Sequence, residues 1–138
     1  ATKGGGHGGY RCIVLAPASV QETFDLMQLA FYLADKYRMV VMLLTDALEG
    51  QMIEPLELRT IDFGSLPKKD WALAGSAQRG GRRYLYIPVA FDLVGYCRRA
   101  AEKYQKVVDS EKRYETYMTD EAQLLLVAYG STARHGTC

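Results

Sequence analysis

Residues 11–37 read RCIVLAPASVQETFDLMQLAFYLADKY, and a change of hydrophobic period inside that stretch decides the fold class. CIVLA is a short apolar run of strand type, stopped by Pro17. Ser19 to Glu22 then spell S-V-Q-E, a capping box. In it the Ser hydroxyl accepts from the amide three residues on, and the Glu reaches back. Apolar residues follow at Phe24, Met27, Ala30, Phe31 and Ala34, the three-and-four spacing of one helical face. Leu26, Leu29 and Leu33 widen that face, which predicts a heavily buried helix. It should end near Tyr37 and Arg38, where basic residues suit the C-terminal dipole.

Residues 39–46, MVVMLLTD, are a continuous apolar run of the kind found in strands buried on both faces of a helix-covered parallel sheet. Strand, capped helix and strand make a βαβ unit with an expected right-handed crossover. The class is therefore α/β. Asp46 stands at the C-terminal end of the second strand, the edge where ligands collect in open parallel sheets.

Upstream lies ATKGGGHGGY, residues 1–10. A phosphate-binding glycine loop follows a strand and opens a helix. Here the order is loop then strand, and no Gly-Lys-Ser/Thr ending occurs. Zinc wants three or four ligands, and the chain has only one other histidine, His135. The residues themselves leave a mobile or partner-ordered glycine loop.

Downstream, residues 48–83 show no sustained period. They carry Trp71, expected to pin the segment to something apolar, and the basic cluster Arg79, Arg82 and Arg83. Without interleaved aromatics or a motif, that cluster does not point to nucleic acid. Residues 91–118 return to helical pattern. Leu93, Tyr96, Cys97, Ala100, Ala101, Tyr104, Val107 and Val108 form an apolar seam opposite a charged face, and Tyr114 and Tyr117 are expected to prolong the contact surface. AQLLLVAYGSTAR, residues 122–134, reads as a buried strand followed by a turn at which a helix should begin.

Composition bounds the partners. The 138 residues suffice for one domain with a core, and 17 Lys and Arg against 16 Asp and Glu give no general drive toward nucleic acid or anionic membrane. No apolar run approaches the roughly 20 residues that cross a bilayer. No secretory leader is visible, so a cytoplasmic location is expected. The three cysteines, Cys12, Cys97 and Cys138, are widely spaced, against a disulfide framework or a cysteine-ligated cluster within this chain.

Four pieces carry a resemblance: ATKGGGHG at 1–8, LAPASVQE at 15–22, DALEGQM at 46–52 and VAYGSTAR at 127–134. With GRRYLYIP at 81–88 between them, the chain resembles the 2-oxoacid:ferredoxin oxidoreductase family. It looks most like the subunit that carries the thiamine pyrimidine-binding domain, in the 2-ketoisovalerate (3-methyl-2-oxobutanoate) branch. The resemblance implies oxidative decarboxylation of a branched-chain 2-oxoacid on thiamine diphosphate with Mg, shared with a partner subunit. Coenzyme A would take the acyl group, and electrons would leave through iron–sulfur clusters on other subunits to ferredoxin. The implied partners are the diphosphate-binding and ferredoxin-like subunits. No nucleic acid and no membrane is implied. The implied layout is the later part of the pyrimidine-binding domain in residues 1–58, linker and amphipathic helix in 59–120, and the first strand of a following α/β domain in 121–138.

By looser analogy to transketolase-type enzymes, the resemblance places GGGHGGY beside the thiamine cleft. His7 would then hydrogen-bond substrate or intermediate, with Gly5, Gly6 and Gly8 lining the cleft; the alternative is a merely structural glycine loop. The family pattern His-Gly-Asp is His7-Gly8-Gly9 here, so the carboxylate that would orient the histidine is missing. The carboxylate that activates the aminopyrimidine lies upstream of this segment in the family. Glu22 is explained by its cap, and Glu49 and Glu54 read as structural or interface residues. The chain is accordingly expected to be an internal fragment, inactive alone and open to self-association through bare sheet edges. The rival reading is a non-catalytic interaction module docking through the helix at 91–117.

Overall fold

The computed structural model describes residues 2–4, 9–69, 72 and 92–136. Strand β1 spans Ile13–Leu15, helix α1 Val20–Tyr37 and strand β2 Val41–Leu43. The strands pair in parallel, Ile13 beside Val41, Val14 beside Met42 and Leu15 beside Leu43. The expected βαβ unit is present, and the sheet has two strands among the described residues.

The capping box starts α1 as its sequence dictates. Ser19 is extended, and its hydroxyl accepts from Glu22 N–H at 3.1 Å. The Glu22 carboxylate reaches one residue further than the simple pattern and accepts from Ala18 N–H at 2.8 Å. The helix ends at Arg38, whose left-handed backbone (φ 47°) lets its N–H donate to Ala34 C=O.

Leu29, Ala30 and Leu33 of α1 pack with Ile13 and Leu15 of β1, and Leu33 is fully enclosed. The buried stripe is narrower than the sequence suggests. Phe31 and Met27, assigned above to the inner face, are exposed. A two-stranded sheet is too narrow to cover the whole apolar arc of α1. For the same reason β2, expected to be buried on both faces, is only half-buried.

Helix α2, Leu93–Glu111, reaches the core through Val107. Asp92 caps it by accepting from Gly95 N–H at 2.9 Å. Its C-terminal end is tied to α1. Glu111 accepts from Lys36 Nζ at 2.8 Å and from the Tyr37 hydroxyl at 2.7 Å, and Lys103 Nζ donates to Arg38 C=O at 3.2 Å. Tyr96, Cys97, Ala100, Tyr104 and Val108 are half-buried, as the seam predicts, whereas Leu93 and Ala101 face out. Tyr114 and Tyr117 do not prolong it: α2 stops at Glu111 and both rings are exposed.

Between β2 and α2, residues 57–69 carry no regular structure and run along α1. Gln28 Nε2 donates to Arg59 C=O at 3.0 Å and Gln28 Oε1 accepts from Ile61 N–H at 3.1 Å. Arg59 pairs with Asp25, Lys69 with Asp35, and the Tyr32 and Phe63 rings sit 5.4 Å apart. Trp71, Arg79, Arg82 and Arg83 lie outside the described residues.

The expected buried strand at 122–129 is not one here. Residues 122–129 make no ladder, and Leu126 and Val127 are 84% and 89% exposed. A strand needs a neighbour for its amides and carbonyls, and β1 and β2 offer this segment none. The helix expected after it does form, as α3, Ser131–Gly136. No helix among the described residues is long and apolar enough to cross a membrane.

Candidate functional site: the C-terminal edge of the sheet

In a parallel sheet both strands point their C-terminal ends the same way, so the loops after β1 and β2 meet at one edge. Pro17 follows β1 and Asp46 follows β2. Asp46 begins D-A-L-E, a second capping box that the sequence reading passed over. Its Oδ1 accepts from Glu49 N–H at 2.9 Å, and Glu49 Oε2 accepts in return from Asp46 N–H at 3.4 Å, starting the 3-10 turn Glu49–Gln51. The D-x-x-E spacing was the available signal.

The second Asp46 oxygen reaches across 85 residues of sequence. Oδ2 accepts from the Ser131 hydroxyl and from Ser131 N–H, the latter at 3.3 Å. The Ser131 hydroxyl, then the Glu49 amide, hold the Asp46 carboxyl below the usual aspartate range. Glu49 is pushed the opposite way. It is only 6% exposed, its Oε1 has no hydrogen-bond partner, and burial raises its carboxyl above the ordinary value, with Asp46 adding like-charge repulsion.

Glu54 provides a second link. Its Oε2 accepts from Val20 N–H at 3.2 Å, in the first turn of α1, and its Oε1 pairs with Arg134. Arg134 is the main reason that the Glu54 carboxyl sits low. Just before Ser131, Gly130 is buried with φ +64°, a left-handed backbone that a side chain would strain. Glu49 and Glu54 thus both make contacts within the chain; the partnership of Glu54 with Arg134, 80 residues away, had no local sequence signal.

Beside these contacts lies an open cleft of about 440 Å³, lined by Leu44, Thr45 and Asp46 on one side and by residues 127–130 and Thr132 on the other. Its polar side chains are Thr45, Thr132, Tyr129 and the Asp46 carboxylate. Asp46 is the only charged side chain that lines the cleft, so the lining offers a diphosphate no cation of its own. No group of three His, Cys, Asp or Glu side chains poised for a metal occurs among the described residues.

His7, Gly5, Gly6 and Gly8 lie outside the described residues. Their flanks are visible: Cys12 N–H donates to Lys3 C=O at 2.9 Å, and Gly9 faces Cys97 of α2. Residues 9–12 enter β1 at its N-terminal end, so these flanks and Asp46 belong to opposite ends of the strands.

With that architecture in place, the comparisons with known proteins are specific. Residues 7–120 match the family described as pyruvate flavodoxin/ferredoxin oxidoreductase, thiamine diphosphate-binding, and the chain belongs to that family. It is 45% identical over 133 residues to the ketoisovalerate oxidoreductase subunit VorB of Methanothermobacter thermautotrophicus, and 47% identical over 133 residues to the same subunit of Methanothermobacter marburgensis. Each match covers 96% of this chain and 38% of the relative, so the chain spans well under half the length of those curated relatives. The 2-oxoglutarate synthase subunit KorA of Methanothermobacter thermautotrophicus is 27% identical, over 94% of this chain and 42% of its own length. No solved structure gives a significant match.

Proposed function

We propose that this chain is part of a subunit of a thiamine diphosphate-dependent 2-oxoacid:ferredoxin oxidoreductase acting on branched-chain 2-oxoacids. The observation that carries the reading is the 45–47% identity to the two ketoisovalerate oxidoreductase subunits along 96% of the chain. In the overall reaction the C1–C2 bond of the 2-oxoacid breaks and CO2 leaves. The acyl carbon forms a thioester with coenzyme A, and two electrons pass through iron–sulfur clusters to ferredoxin. Thiamine diphosphate, when bound with its Mg, supplies the electron sink for that cleavage. A partner subunit would hold the diphosphate and its Mg. The complex would work in the cytoplasm.

In this reading residues 1–58 belong to the pyrimidine-binding domain, 59–120 to a linker whose helix packs back on it, and 121–138 to the start of the next domain. Residues 124–129 would then gain strand neighbours from that domain, which accounts for their exposed leucines. His7 would hydrogen-bond substrate, and Gly5, Gly6 and Gly8 would let the backbone approach it. Docking through α2 is the weaker reading, because Val107 of its seam is already buried with α1 and β1.

The test is turnover by the complete complex. Coenzyme A-dependent reduction of ferredoxin should be fastest, by kcat/KM, with 3-methyl-2-oxobutanoate over pyruvate and 2-oxoglutarate. No dependence on any 2-oxoacid sinks the proposal. In the same assay His7→Ala should cost about 10²-fold or more in kcat/KM if His7 contacts substrate; unchanged kinetics remove that assignment.

A further inference from the structure

We infer that Asp46 is a positioning residue: it latches residues 130–136 onto the C-terminal edge of the sheet and so sets one wall of the cleft. Three observations converge. First, one Asp46 oxygen takes both the amide and the hydroxyl of Ser131, so the carboxylate fixes the backbone as well as the side chain. Second, a different loop makes an independent tether, Glu54 to Arg134, one helical turn further along α3. Both acceptors are carboxylates on the βαβ side and both donors are on the 130–136 side, Ser131 neutral and Arg134 charged. Third, Gly130, just before the first tether, is buried against the loops after β1 and β2, where an added Cβ would lie 3.6 Å from Asp46 Oδ2 and 3.8 Å from Pro17 C=O.

The chain leading to the latch gives it little help. Residues 112–129 are exposed throughout. Among the described residues the cleft wall at 127–130 and Thr132 is held from its C-terminal side, by Asp46 and Glu54; strand neighbours gained by 124–129 in the longer subunit would hold its other side, so the latch is read at 130–136. Nothing in this contact requires a bound cofactor. Only the kinetic part of the test rests on the proposed function.

The experiment uses the assembled complex with wild-type subunit, Asp46→Ala and Asp46→Asn. Hydrogen exchange of peptides covering 124–136 and steady-state kinetics with 3-methyl-2-oxobutanoate are measured on each. Asp46→Ala should speed exchange at 130–136 by about tenfold while α1 and β1 keep their protection. It should raise KM about fivefold, with a smaller change in kcat. Asp46→Asn, which keeps an acceptor oxygen, should lie between wild type and Ala on both measures. Unchanged exchange in Asp46→Ala overturns the latch. Faster exchange with unchanged KM overturns the positioning role. If Asp46→Ala does not assemble, Ser131→Ala takes its place, and unchanged exchange at 130–136 is again fatal. A wild-type complex that turns over no 2-oxoacid defeats the proposed activity, and the exchange measurement then decides the latch alone.

Discussion

Gln21 and Glu57 exchange two hydrogen bonds: Gln21 Nε2 donates to Glu57 C=O at 3.2 Å, and Glu57 N–H donates to Gln21 Oε1 at 2.8 Å. A side-chain amide here does what a neighbouring strand does in a ladder. Gln28 repeats the arrangement two helical turns on, at Arg59 and Ile61. A helix rises about 1.5 Å per residue and an extended chain about 3.3 Å, so seven residues of α1 match three or four of the extended segment. That match is why the two glutamines can serve one straight run of backbone.

Replacing Gln21 by Ala should free the Glu57 amide, and replacing Gln28 by Ala the Ile61 amide. Each change should cost about 1–2 kcal/mol in denaturant melts of the intact subunit, since two backbone groups lose their partner. Amide exchange should rise at the named residue and little elsewhere. Equal loosening of the whole segment by either change would show that the two clamps are not independent.

Ser19→Ala removes the N-cap of α1 and should destabilise the subunit by about 1 kcal/mol. Ser19→Asp keeps an acceptor and should restore most of the loss in the same melts.

Glu49→Gln should stabilise the fold at neutral and alkaline pH by roughly 1 kcal/mol, because an ionised carboxylate with an unpartnered oxygen is replaced by a neutral amide. The native carboxyl is raised above its ordinary value of 4.5. Its stabilising, protonated form is fully present below that value and is lost as pH rises through the folded one. The advantage of Gln should therefore grow with pH and fade near pH 4.5 and below. Melts across that range check the sign.

Glu111→Gln should act in the opposite direction. Burial opposes ionisation, but the hydrogen bonds from Lys36 and Tyr37 outweigh it and hold the carboxyl below its ordinary 4.5. The contribution is present above that value and lost as pH falls through the folded one. Wild type should exceed the variant by about 1 kcal/mol at neutral pH, with the gap closing in acid.

Local grammar was legible in the sequence and distant pairing was not. The Ser19–Glu22 box, the end of α1 at Arg38, the parallel strand pair and the seam of α2 follow from spacing, because each rests on neighbours a few residues apart. The width of the buried stripe on α1 did not follow, because it is set by how much sheet lies beneath. Phe31 and Leu29 are equally apolar, and only the fold separates them. LLLVAY carries strong strand propensity at 124–129, yet strand identity belongs to pairs of segments and not to one. At the site, the position of Asp46 was readable from its place after β2. Its bond to Ser131 and the bond of Glu54 to Arg134 cross most of the chain and leave no periodic trace.

The tie between Lys36 and Glu111 also bears on the order of folding. Those residues are 75 apart, so joining them closes a much longer loop than pairing Ile13 with Val41. Loop-closure entropy rises by roughly 0.6 kcal/mol per doubling of length, and the shorter closure is also complete earlier as the chain leaves the ribosome. The βαβ unit is the natural nucleus, and α2 docks onto a surface already formed. In pulse-labelled refolding, α1 amides should gain protection before those of α2. Glu111→Gln should then speed unfolding while leaving the first refolding phase nearly unchanged.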